Sequence, residues 1–253
     1  MDFICIASEK IHDTSEKCKE RRTALFSIIK ETLETNCATI EFEHEYLWDF
    51  DVFHMIYRFE STADSPIPPT LLIDFGIMFE EQLWKPFTTP EQHGLSVIFF
   101  DKENFTSQAP EFDVDAHVTR MKSDLKNTIS KFGIFQSFIG KEYARNHYLG
   151  AWYYYQEYTL TPLIKVLHMK YEPLRYFFGL RYVHHFGYPK ELEETLQSLH
   201  FLGNPQEILK KQKLAITLFY EPVEELQKQN FKQRISDLSK QIREKKQNQQ
   251  TTK

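Results

Sequence analysis

Apolar and polar residues alternate between Asp51 and Glu60. Phe53, Met55, Tyr57 and Phe59 fall on one side and His54 and Arg58 on the other, which predicts a half-buried strand. The run Pro69-Thr-Leu-Leu-Ile-Asp-Phe-Gly-Ile77 predicts a second, more deeply buried one. Leu71, Ile73, Phe75 and Ile77 share one of its faces, and Leu72, Asp74 and Gly76 share the other. Met1 to Ala7, Ala38 to Phe42 and Leu95 to Phe100 read as shorter strands, and Ser65-Pro-Ile-Pro-Pro69 as a stiff turn leading to Asp74. Asp13 followed by Glu16 forms a capping box for a helix in which Leu25, Ile28, Ile29 and Leu33 recur at helical spacing. The cluster Lys19-Glu-Arg-Arg22 on that helix reads as a solvated face.

From about Asp113 the periodicity changes from two to 3.6. Val114 to Phe138 predicts a helix with a break at Gly133, and Glu142 to Met169 a long second one, kinked or restarted at Pro162. Pro173 opens a third, with Leu174, Phe177, Phe178 and Tyr182 turned inward; Pro189 to His200 and Pro205 to Gln227 complete an antiparallel bundle. Phe231, Ile235, Leu238 and Ile242 make an amphipathic stripe that docks on its own domain or on a sister subunit, so a homodimer through helices is one expectation. The final Gln-Asn-Gln-Gln-Thr-Thr-Lys is expected to be disordered. The fold class is therefore α+β: a mixed or antiparallel sheet with a helix in residues 1–112, an all-α bundle in 113–227, and a basic tail in 228–253.

Charge and cysteine content narrow the function. The net charge is -5, but after Gln227 there are eight Lys/Arg and two acidic residues, so the tail is +6 and the body -11. An acidic body argues against broad nucleic-acid binding. Three cysteines, Cys5, Cys18 and Cys37, include no Cys-x-x-Cys pair, which fits neither a disulfide framework nor a thiolate zinc site and points to a reducing cytoplasm. No apolar run approaches the roughly 20 residues needed to cross a bilayer. The first of eight glycines is Gly76, so residues 1–75 hold no glycine-rich phosphate cradle. There is no Walker loop and no Ser/His/Asp or Cys/His signature, and His168, His184 and His185 read as structural.

The residue that stands out is Asp74, a carboxylate in an apolar strand, which costs several kcal/mol unless paired, hydrogen-bonded or bound to a cation. It reads either as a structural Asp that caps a turn or meets an Arg, or as one of a carboxylate cluster that binds metal. Glu41, Glu43 and Glu45 alternate near a strand and read as a solvent-facing edge, with a general base as the minor reading. Tyr153, Tyr154, Tyr155 and Tyr158 read as core, with a ligand-stacking role as the minor one.

Two regions resemble the nucleotidyltransferase superfamily of the DNA-polymerase-beta type, particularly its bacterial members related to aminoglycoside adenylyltransferases. One is Met1-Asp-Phe-Ile-Cys-Ile, followed by a helix, two strands and Leu71-Leu-Ile-Asp74. The other is Trp152-Tyr-Tyr-Tyr-Gln-Glu-Tyr with Leu163-Ile-Lys-Val-Leu-His-Met-Lys-Tyr-Glu-Pro173 and Phe178-Gly-Leu-Arg-Tyr182. The resemblance implies that Asp2 is the second Asp of an Asp-x-Asp pair and Asp74 the third carboxylate. These would be catalytic and would bind two magnesium ions, with ATP or another nucleoside triphosphate as co-substrate and a small-molecule hydroxyl as acceptor. Lys165, Lys170 and Arg181 become candidate triphosphate contacts; for Arg181, an ion pair with Glu157 or Glu172 is an equal alternative. The family's first Asp would fall before Met1 and its Gly-Ser loop further upstream. The expectation is thus a chain truncated at its start and impaired as written, or a non-catalytic binding module derived from that fold.

Overall fold

The computed structural model describes residues 2–7, 16–48, 52–60, 68, 70–79, 89–94, 97–99, 101–102 and 111–251, with the backbone alone for 2–7, 17–18, 47–48, 52, 78–79 and 246–251. The chain is α+β and divides into two compact units. One comprises Met1–Thr88 with Ile98–Pro110; the other comprises Thr89–Val97 with Glu111–Lys253, so the helical unit takes in a short segment from inside the expected sheet domain. No helix among the described residues is long and apolar enough to cross a membrane.

The first unit is a four-stranded mixed sheet. Its strands are β1 (Asp2–Ala7), β2 (Ile40–Trp48), β3 (Val52–Phe59) and β4 (Leu72–Phe79), in the order β1-β4-β3-β2. β1 runs parallel to β4, and the other neighbours are antiparallel. The helix α1 (Glu16–Asn36) covers one face. Phe26 is buried, Tyr57, Phe59 and Ile73 form the core, and Ile29 and Leu33 of α1 pack against it. The Tyr57 hydroxyl donates to the Phe26 carbonyl at 3.1 Å, and burial pushes its pKa up. Asp13 lies outside the described residues.

Three expectations change here. β2 is longer than Ala38 to Phe42, because its alternation continues through Glu43, His44, Glu45 and Tyr46 with polar residues on both faces, a weak signal for a strand. Val97, Ile98 and Phe99 are exposed and carry no strand. Arg22 is not solvated but buried: its guanidinium lies 3.8 Å from the Phe53 ring centroid, and its Nε is 3.6 Å from Glu45. The aliphatic stem and planar head of arginine let it close the edge of an apolar core.

The second unit is built on α3 (Val114–Ala144), which follows the one-turn helix α2 (Pro90–His93). Asp113 caps α3 by accepting from the Ala116 N–H at 2.9 Å, and the helix runs through Gly133 without a break. Asn146, with φ of 60°, turns the chain into α4 (Tyr148–Tyr155). A π-helical stretch, Gln156–Leu160, joins α4 to α5 (Thr161–Tyr171). Pro162 marks a helix start, as one of the two expectations had it: it stands in the first turn of α5, and the chain enters that helix through a π turn rather than a kink. Proline has no N–H for the carbonyl four residues back, and the helix widens there. That carbonyl, of Tyr158, instead accepts from Gln136 Nε2 at 2.9 Å.

No α-helix follows Pro173. Two 3₁₀ turns, Pro173–Arg175 and Leu180–His185, carry the chain to α6 (Lys190–His200). Three-residue spacing buries Val183 and Phe186 and leaves Phe177 exposed, contrary to the inward placement expected of it. A further 3₁₀ turn, Pro205–Glu207, leads to α7 (Ile208–Lys228). The last helix, α8 (Phe231–Thr251), runs into the stretch expected to be disordered, of which residues 252–253 lie outside the described residues. Its Phe231 and Ile235 join the core, with Leu238 and Ile242 packed against it, so the amphipathic stripe docks on its own unit.

A buried carboxylate ties α2 to α8. Glu91 is 2% exposed, and its Oε1 accepts from Ser239 Oγ at 2.8 Å and from Arg243 Nε at 2.9 Å. Arg243→Met would leave that charge with a hydroxyl alone. The expected cost is about 2 kcal/mol, below the usual figure for a broken buried pair because Arg243 is partly exposed. Denaturant melts should show the loss, with Arg243→Lys recovering part of it.

Candidate functional site

The face of the sheet opposite α1 carries Asp74. Its neighbour across the parallel ladder is Asp2, in register Asp2↔Asp74, so the two backbone positions stand side by side on adjacent strands. On the antiparallel side Asp74 faces Ile56, with His54 opposite Gly76 and Tyr46 opposite His54. Those registers bring three polar side chains together. His54 Nδ1 lies 2.6 Å from Asp74 Oδ1, and the Tyr46 hydroxyl donates to Asp74 Oδ2 at 3.1 Å. An ionised carboxylate only accepts, so the proton between His54 and Asp74 sits on the imidazole Nδ1. Asp74 thus meets a histidine and a tyrosine, not an arginine or a turn.

The pair lies at the end of a row of rings. Phe42, His44, Tyr46 and His54 stack at centroid separations of 6.2, 6.3 and 5.0 Å. Arg58 sits 5.5 Å from the Phe42 ring and 3.2 Å from Glu41. Glu43 and Glu45 stand on the other face, 3.0 Å from Lys30 and 3.6 Å from Arg22 of α1. Neither is placed to serve Asp74 as a partner base.

A carboxylate has about four lone-pair positions, so one hydrogen bond on each oxygen of Asp74 leaves room for a hard cation. Among the described residues no group of three His, Cys, Asp or Glu is arranged to hold a metal, and the Asp2 side chain lies outside that description.

The three predicted triphosphate contacts belong to the helical unit and share no partner. Lys165 is 3.1 Å from Asp124. Lys170 is 2.9 Å from Glu225; burial pulls its pKa down, but the Glu225 hydrogen bond and the charges of Tyr171, Glu225 and Glu221 leave it raised. Arg181 is exposed and stacks on Tyr182, to whose hydroxyl it donates at 2.6 Å. Glu172 pairs with Arg175, not with Arg181. Tyr155 is core, whereas Tyr154 and Tyr158 are half-buried and Tyr153 is exposed. His184 pairs with Glu193, and His168 is fully buried against Tyr188.

Sequence reasoning missed His54 and Tyr46 as partners of Asp74. The alternation put His54 on a polar face, but strand register, which decides what that face meets, leaves no mark in a single sequence.

No family model matches this sequence, and no curated protein does. Among solved structures it is similar to an aminoglycoside 6-adenyltransferase from Bacillus subtilis. The likeness covers 95% of this chain and 87% of that one, at 13% identity and a TM-score of 0.41. A superposition that loose does not establish a shared fold.

Proposed function

We propose that this chain is a nucleotidyltransferase that moves a nucleoside monophosphate, AMP from ATP, to a hydroxyl of a small molecule such as an aminoglycoside. The observation that carries the reading is the parallel ladder pairing Asp2 with Asp74 on adjacent strands. Neighbouring carboxylates are the donor set that magnesium takes together with substrate phosphates, and two such ions would neutralise charge at the transferred phosphoryl group. His54 and Tyr46 orient the Asp74 carboxylate, the outer-shell support a ligand of this kind uses.

One observation favours a second reading, a non-catalytic nucleotide- or partner-binding module. Both oxygens of Asp74 already accept hydrogen bonds, as in a structural carboxylate. Terbium luminescence tests both readings in the full chain, since Tyr46 beside Asp74 can sensitise a bound ion. Saturable emission is expected, displaced by magnesium and weakened at least about tenfold by Asp2→Asn and by Asp74→Asn. Pyrophosphate release from ATP with hydroxyl acceptors, lost in Asp74→Asn, then supports the transferase. Ion binding without release supports the module. Emission that does not saturate, or that both substitutions leave unchanged, sinks the carboxylate site altogether.

A further inference from the structure

The helical unit contains a cleft of its own, shaped by the π stretch before Pro162. An α-helix turns about 100° per residue, so one extra residue in a turn rotates the N-terminal part of the helix by that amount against the C-terminal part. Gln156, Thr161 and Lys165, at spacings of five and four, thereby line one wall of the cleft. The other wall is the loop between the first two 3₁₀ turns, with Tyr176, Phe177 and Leu180. Phe177 and Leu180 are 45% and 46% exposed, large apolar groups left at the rim of a concave surface. The cleft holds about 340 Å³, which is within the size range of small-ligand sites.

Its polar groups are few and fixed. Lys165 Nζ is held 3.1 Å from Asp124 Oδ2, which also accepts from the Tyr176 hydroxyl at 3.0 Å. An ammonium has three donors, so this pair positions Lys165 without exhausting it. His200, also on the lining, has its Nδ1 2.9 Å from the Leu196 carbonyl. That carbonyl can only accept, so in the neutral ring Nε2 is an acceptor. The Gln156 amide offers both functions. The lining thus combines an aromatic wall, one cation and acceptors for a ligand N–H or O–H.

We propose that this cleft binds a small planar aromatic anion, an aryl carboxylate or sulfonate. Its ring lies on Phe177 and Leu180, its anionic group meets Lys165, and an N–H or O–H substituent donates to Gln156 or His200. An uncharged ring would satisfy the walls without using Lys165, and an aliphatic anion would do the reverse.

Fluorescence titration of the full chain with anilinonaphthalene sulfonate tests this, with uncharged N-phenylnaphthylamine as the matched probe. One-site saturation by the sulfonate is expected. Lys165→Met should weaken the sulfonate about tenfold and leave the uncharged probe unchanged. Phe177→Ser, at an exposed position and with an expected unaltered circular dichroism spectrum, should weaken both probes about tenfold. Lys165→Arg should restore the discrimination. Non-saturable binding, equal affinity in all variants, or equal weakening of both probes by Lys165→Met overturns the proposal.

Discussion

Lowering the pH from 7 to 4 is expected to remove about 3 kcal/mol of stability from the helical unit through His168 alone. His168 is fully buried, and burial pushes its pKa down to about 4 from 6.5, although the carbonyls of Gly179 and Phe178 pull the other way. Its Nε2 faces the Gly179 carbonyl at 3.4 Å and so carries the proton. Nδ1 must then accept from the Tyr188 hydroxyl at 2.6 Å. Protonation adds a second N–H against that hydroxyl and sets a charge among Phe186, Tyr188 and the bundle core. The sign is set by the depressed folded-state value. The contribution is complete above the unfolded pKa of about 6.5 and is lost as pH falls through about 4. His117, buried between Phe112 and Tyr176, has a lowered pKa as well and acts in the same direction. Urea unfolding of the full chain at stepped pH, against His168→Gln, isolates the effect. The stability difference between the two proteins should narrow by about 3 kcal/mol on acidification, and a constant difference would show that His168 is not the titrating group.

Residues whose role depends on near neighbours in the chain were legible. The alternation of Phe53, Met55, Tyr57 and Phe59 fixed β3 and its buried face, and the 4-3-4 spacing from Phe231 to Ile242 fixed the docked stripe of α8. Asp74 could be singled out because a carboxylate in an apolar run demands a partner, but not which partner. Tyr46 lies 28 positions away and His54 20, and the strand register that brings them in is a tertiary choice. Glu91 left even less trace. It reads as an ordinary first-turn acid after Pro90, and its partners Ser239 and Arg243 lie about 150 residues further on. A helical period after Pro173 misplaces Phe177, because the chain there turns at three residues per turn. Pro162 marked the start of α5 correctly, but a proline alone does not say whether the turn before it will bend or widen. The neighbour that donates to the freed carbonyl decides that.

That neighbour is Gln136, and replacing it by leucine is expected to cost about 4 kcal/mol. Its amide is fully used. Nε2 donates to the carbonyls of Phe132 and Tyr158 at 3.1 and 2.9 Å, and Oε1 accepts from Thr159 Oγ1 and Gln212 Nε2 at 2.8 and 3.1 Å. Leucine matches the size but leaves the Tyr158 carbonyl, the Thr159 hydroxyl and one Gln212 contact unmet in a region where Thr159 is fully buried. Each such group costs about 1–3 kcal/mol, partly offset by the apolar side chain and by the bond Gln212 keeps to the Gln136 carbonyl at 3.0 Å. The cause assigned to the π stretch adds a second, sharper expectation. Pro162→Ala restores an N–H that can reach the Tyr158 carbonyl in an α-helical bond, so the loss from Gln136→Leu should shrink to about 2 kcal/mol in that background. Thermal melts of the four proteins in the cycle measure the coupling. If the two changes simply add, Pro162 does not hold the helix open against Gln136, and the widening of the helix at Gln156–Leu160 has another origin.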